Sequence, residues 1–223
     1  MLKKLLCGAT LLCAASFANA GSMTVSAAVP LQTTNFDAVV SVAKFDDMGG
    51  TKQLESVTFS LEGFLLGNAR LESLDAEPSL VTTTLSVTLT LSETVTDNTL
   101  VITIPSLDEV FAASAYDGST DFGGTSGITY EELTASQTES ETYTDAMTLA
   151  MFTGLDTIDL NLNALATSFA SGAGNLITQF STSAGGNIEV TYVYDDVPVS
   201  APAHLALLGL GLLAFAGYRK AKK

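Results

Sequence analysis

Four stretches of this chain alternate apolar and polar side chains with a period of two, a pattern that a helix has no way to bury on one side. Val57, Phe59 and Leu61 alternate with Ser56, Thr58, Ser60 and Glu62. Leu85, Val87, Leu89 and Leu91 alternate with Ser86, Thr88, Thr90 and Ser92, and Ile158, Leu160 and Leu162 with Asp159, Asn161 and Asn163. Ile188, Val190, Tyr192 and Tyr194 alternate with Glu189, Thr191, Val193 and Asp195. Successive side chains of a strand point to opposite faces, so each stretch has one apolar and one wet face. The wet positions are mostly Ser and Thr, and Thr suits a strand through its branched β-carbon. Gly-rich turn signals separate the runs: "DDMGG", "LLGNA", "YDGSTDFGGTSG", "SGAGN" and "SAGGN".

Half-buried strands without alternating long helices predict an all-β fold: two antiparallel sheets packed face to face, a jelly-roll-like β-sandwich. Residues 21–196 are read as one domain, large enough for a real core. That core is expected to draw on Val57, Phe59, Leu61, Leu85, Val87, Leu89, Val190 and Tyr192, with Leu85, Val87, Leu89 and Leu91 on one face. Met147 to Leu155 and the Ala-rich Leu162 to Ala170 are each expected to hold a short helical turn.

The two ends are of another kind. Lys3 and Lys4 precede a largely apolar run, Leu5 to Phe17, and Ala18-Asn19-Ala20 fits a cleavage site of small residues. Residues 1–20 read as a secretory signal peptide, cut after Ala20. Cys7 and Cys13 both lie inside it, each after a Leu pair, which speaks against lipidation. Export would permit disulfides, but the mature chain has no cysteine to form one. At the other end, "DDVPVSAP" is an extended spacer before residues 203–218, an apolar stretch that closes with a basic tail at 219–223. Counted from Ala201, a helix to Tyr218 is about 27 Å long against a membrane core of about 30 Å. Arg219, Lys220, Lys222 and Lys223 would hold that end in the cytoplasm. The arrangement reads as a C-terminal sorting signal, with a permanent single-span anchor as the alternative.

Charge follows the same division. The region between the two ends holds all 24 carboxylates against three cations, Lys44, Lys52 and Arg70, a formal −21. Such a field repels nucleic acid and anionic lipid and favours solubility. The single His of the chain is His204, in the tail, and there is no Trp. The body therefore lacks the residues for a Ser-His-Asp triad, a Cys nucleophile or a His- or Cys-ligated zinc site. No phosphate-binding loop or dinucleotide fingerprint occurs. Two carboxylates suffice for a glycosidase, but with 24 present any chosen pair is uninformative. The expectation is a protein that is not an enzyme and carries no resident cofactor.

The one stretch with ligand-like chemistry is "AYDGSTDFGGTSGITYEE". Asp117 and Asp121 stand four apart in a Gly-rich loop beside Ser119 and Thr120. Calcium takes several oxygen ligands, and irregular loops bring carbonyls close together, so the pair is a candidate calcium site. The alternative is an acidic turn whose Asp carboxylates bond their own backbone. Tyr116, Phe122 and Tyr130 flank the loop, as a sugar-stacking patch or as core aromatics.

"APAHLALLGLGLLAFAGYRKAKK" resembles the PEP-CTERM sorting signal of Gram-negative bacteria: a Pro-containing motif, a Leu/Gly-rich helix and an Arg/Lys end. Ser200-Ala201-Pro202 stands where that signal usually has Pro-Glu-Pro. The body is similar to the choice-of-anchor E domain, through "VPLQTTNFDAVVSVAKFD" (29–46), "YDGSTDFGGTSG" (116–127), "MFTGLDTIDL" (151–160) and "GNLITQFSTSAGGNIEVTYVY" (174–194). The resemblance covers nearly the whole mature chain and brings no catalytic residues. It implies export by the secretion machinery, a transient stay in the inner membrane and processing by an exosortase-like enzyme. It also implies a final place at the cell surface or in an extracellular matrix, with exopolysaccharide and biofilm around it. The many Ser and Thr of such a surface protein are candidates for glycosylation. The functions in view are a structural or adhesive surface protein and, alternatively, a carbohydrate-binding or calcium-dependent module.

Overall fold

The computed structural model describes residues 20–197. Residues 1–19 and 198–223, on which the expected signal peptide and sorting signal fall, lie outside the described residues, and with them Ser200, Ala201, Pro202, Arg219 and Lys220. The strands are β1 (Ala20–Thr33), β2 (Phe36–Ala43), β3 (Lys52–Ser73), β4 (Ser79–Glu93), β5 (Thr99–Thr103), β6 (Ser106–Ala113), β7 (Gly127–Tyr143), β8 (Thr157–Ser171) and β9 (Leu176–Asp196). One short helix, α1 (Ala146–Met151), lies between β7 and β8.

The first sheet has the order β1-β9-β3-β7 and the second the order β2-β8-β4-β5, with β6 also paired to β4. Every pairing between these strands is antiparallel. β1 meets β9, β2 meets β8, β3 meets β7, and β4 meets β5 and β6. The chain is thus one long hairpin wound into two facing sheets, which is a jelly roll. β5 and β6 behave as a single strand broken at Ile104 and Pro105. The Val87 N–H keeps the ladder going there by donating to the Pro105 carbonyl at 3.1 Å.

The core follows strand parity. Leu85, Val87, Leu89 and Leu91 are all buried, as are Val57, Phe59, Leu61, Ile188, Val190 and Tyr192. Along the inward face of β3, Leu61, Gly63, Leu65, Gly67, Ala69 and Leu71 alternate large and small. A Cβ on Gly63 would lie 2.5 Å from Leu89 Cδ1, and one on Gly67 would overlap Leu85. The two glycines are sockets into which leucines of the opposite sheet fit, the interdigitation that dense packing requires. Leu54 and Val57 are both buried although three apart, because the register with β9 slips between Leu54 and Ser56. Such a bulge restores the apolar face after one extra residue. Tyr192 spans the sandwich, its hydroxyl donating to the Ala43 carbonyl at 2.9 Å.

One expectation needs correction. Leu162–Ala170 is not helical but part of β8, paired with β4 from Leu91↔Leu162 to Thr83↔Ala170. Alanine favours a helix locally, but long-range pairing to a central strand overrides that preference. The other Ala-containing stretch does hold a helical turn, α1, which Asp145 caps by accepting from the Thr148 N–H at 3.0 Å.

Candidate functional site

The loop between β6 and β7 is built around a carboxylate that the sequence did not single out. Glu72, at the end of β3, is completely buried. Its Oε2 accepts from the Phe122 N–H at 2.8 Å and its Oε1 from the Ser126 hydroxyl at 2.7 Å. Phe122 has a left-handed backbone, φ 56°, an unfavourable geometry for a bulky residue. The Glu72 bond and the Thr129 hydroxyl, which donates to the Phe122 carbonyl at 3.0 Å, hold it there. Ser73 N–H donates to the Ser126 carbonyl at 2.9 Å and Tyr116 N–H to the Asp75 carbonyl at 2.8 Å, fastening the loop to the end of β3. No period-two signal marks Glu72, because it follows Leu71 on a stretch where both parities are buried.

Asp117 and Asp121 come together in this loop over a shared neighbour. Asp117 Oδ1 accepts from the Ser119 N–H at 3.0 Å, and Asp121 Oδ2 from the Ser119 hydroxyl at 3.2 Å. Asp121 Oδ1 accepts from the Gly123 N–H at 3.0 Å. Each carboxylate thus closes a turn on a backbone N–H two residues on. The Ser119 N–H, followed by the Thr125 and Ser126 donors, holds the Asp117 carboxyl below the usual range against a smaller opposing effect of burial. Among the described residues no three Asp, Glu, His or Cys side chains gather as a metal cage. The flanking aromatics separate: Tyr130 packs against the core, Phe122 is half-buried, and Tyr116 is exposed with its hydroxyl 3.0 Å from Thr120 Oγ1.

The second feature is the outward face of the first sheet, where hydroxyls align across strands. Register places Thr24, Thr191, Thr58 and Thr142 in one row over β1, β9, β3 and β7. Thr24 and Thr191 hydroxyls are 3.0 Å apart, and those of Thr58 and Thr142 2.8 Å. The next rows hold Ser26, Glu189, Ser60 and Ser140, then Ala28, Asn187, Glu62 and Thr138. Asn187 Nδ2 donates to Glu62 Oε2 at 3.0 Å. An open groove of about 630 Å³ runs over Ser26, Ser60, Glu62, Thr138, Asn187 and Glu189. Such a floor offers donors and acceptors to a hydroxylated ligand.

The two features lie in a fixed relation to the chain ends. β3 and β9 run together from Lys52↔Asp196 to Ser73↔Leu176, a strand of roughly 70 Å if fully extended. Ala20 pairs with Asp195, so the start of β1 and the end of β9 lie at the same end of the sandwich. The loop held by Glu72 lies at the other end.

No protein-family model matches the chain, and no curated protein matches it. Solved structures with a weak similarity include two viral ones. The infectious bursal disease virus VP2 subviral particle is 12% identical, with a TM-score of 0.24 over 89% of this chain and 42% of that one. The tymovirus of Desmodium yellow mottle is 14% identical, with a TM-score of 0.19 over 89% of this chain and 99% of that one. The chain spans less than half the length of the VP2 chain. Scores this low have no bearing on function.

Proposed function

We propose that the protein is an exported bacterial surface or matrix protein, sorted by its C-terminal signal through exosortase-type processing, with a structural or adhesive role among exopolysaccharide. The observation that supports this reading best is the shared exit of the two terminal segments at one end of a long sandwich. A tail in the membrane would then hold the body end-on, with the Tyr116–Gly127 loop farthest from the bilayer. A formal −21 on the body keeps it soluble and off an anionic membrane surface. The test is labelling of intact cells with a membrane-impermeant maleimide. A cysteine at Ser119 should label rapidly and one at Val197 slowly while the tail is in place. Equal protection of both would refute end-on display.

The second reading, carbohydrate binding or calcium-dependent binding, draws on the hydroxyl-lined groove. Here a glycan array is the discriminating assay, run with and without chelator. Glu62→Ala together with Asn187→Ala should abolish any glycan signal. For calcium at the loop, the Asp117→Asn, Asp121→Asn variant should lose a calcium-specific rise in melting temperature. Equal shifts with magnesium would leave only an acidic turn.

A further inference from the structure

The four lateral edges of the two sheets are not alike. β7, at one edge of the first sheet, carries Glu131, Glu132, Glu139 and Glu141. Glu139 and Glu141 pair with Leu61 and Phe59, so they occupy inward positions of the edge strand. Inward-pointing charge is a known guard against further strand pairing. On the same flank β6 carries Asp108 and Glu109. The opposite flank has no inward-pointing charge; its one carboxylate on an edge strand, Asp37 of β2, faces outward and accepts from the Asn161 and Asn163 amides. β1 is fourteen residues long and has no charged residue at all. Among the described residues its one partner is β9, which leaves the outer row of N–H and C=O groups open. Pro30 and the register shift between Val29 and Gln32 limit the regular stretch to Ala20–Val29. The inward residues Met23, Val25 and Ala27 are only half-buried, and so are Phe36, Ala38 and Val40 of the adjoining β2, the edge of the second sheet. On this flank the mouth of the sandwich is therefore apolar, whereas at β7 it is acidic.

We propose that this flank is where two copies of the chain meet, with β1 adding antiparallel to β1 of the second copy over Ala20–Val29. The two four-stranded sheets would become one sheet of eight. Three observations select a second copy as the occupant. Two bodies of −21 each repel, and β1 is the long edge at which they can approach without setting carboxylate against carboxylate. An antiparallel pair of identical strands is self-complementary about a two-fold axis, the commonest form of closed assembly. The contact would also cover the six half-buried apolar side chains of β1 and β2, which a charged peptide would not match.

The experiment uses the full chain in mild detergent, with Cys7 and Cys13 replaced by Ala so that each added thiol is unique. Single cysteines go at the exposed outward positions Ser22, Thr24, Ser26 and Ala28 of β1. Controls go at Ser140 on β7 and at Ser86 on the outer face of the second sheet, where Leu165, Phe169 and Ile104 are also exposed. With a short bis-maleimide, the cross-linked dimer should peak at one or two neighbouring β1 positions and stay at background at both controls. Adding Ser22→Glu and Ser26→Glu to the Thr24→Cys chain, whose thiol lies nearest the two-fold axis, sets like charges across the proposed pair. It should lower that dimer about tenfold while leaving the circular dichroism spectrum of the folded chain unchanged. Equal cross-linking at all sites, a stronger product at Ser86 or Ser140, or no effect of the two Glu substitutions would overturn the proposal.

Discussion

Val87 sits at the centre of the β4 ladder with no exposed surface, between Leu85 and Leu89. Val87→Asp would bury a charge with no partner, at a cost of roughly 3 kcal/mol or more. A melting temperature unchanged in that variant would contradict the packing described above. Glu93 gives a pH-dependent counterpart. Burial alone would raise its pKa, but the Thr96 hydroxyl and the N–H groups of Val95, Thr96 and Asn98 outweigh burial and hold it below the ordinary 4.5. The Val95 and Thr96 N–H groups lie at 2.7 Å. A carboxylate with a depressed folded pKa contributes stability above its unfolded pKa and loses it as pH falls through the folded one. Melting temperature should therefore be flat near neutrality and fall below about pH 4.5. Glu93→Gln should melt lower at pH 7 yet decline less steeply on acidification. Some decline should remain, since Asp37, Asp117 and Asp145 are hydrogen-bonded and shifted the same way. An identical pH profile for the variant would remove Glu93 from this role.

At the scale of elements, the acidic edge makes its own prediction. Glu139→Val with Glu141→Val should leave the β3 pairing intact but turn β7 into an apolar edge strand. The variant should aggregate faster on incubation, followed by light scattering, and unchanged solubility would count against the guarding role. This edge also explains what could be read in advance. β3, β4, the first half of β8 and the second half of β9 were legible because one face of each is buried, which forces the period of two. β7 was not legible. It is an edge strand exposed over most of its length, so "EELTASQTESETY" has no apolar face to show. β1 was obscured because half of its residues are small and only Val29 is fully buried. The end of β8 reads as helical in the sequence because Ala164, Ala166 and Ala170 carry a local preference that the partner strand cancels. At the candidate site the Asp117–Asp121 loop was visible through its Gly and Asp pairs, which turns demand. Its foundation was not, since Glu72 lies about fifty residues upstream and meets the loop only in the folded chain.

For the whole molecule, the winding of a single long hairpin brings the first and last strands side by side. A body built this way passes its terminal segments out at one end, whatever those segments do. The Glu72-held loop then lies at the end opposite Ala20 and Asp196, and the hydroxyl-lined face of the first sheet is open to solvent. The central claim is that residues 1–20 direct export and that the tail is a transient anchor, cut near Ser200-Ala201-Pro202. Intact mass of the native protein, taken separately from membrane and from medium, tests it most directly. The membrane form should begin at Gly21 and still carry residues up to Lys223, and the released or surface form should lack the chain beyond about residue 200, with any sugars as added mass. A released form that retains Tyr218 to Lys223, or an envelope form that still begins at Met1, would contradict the account.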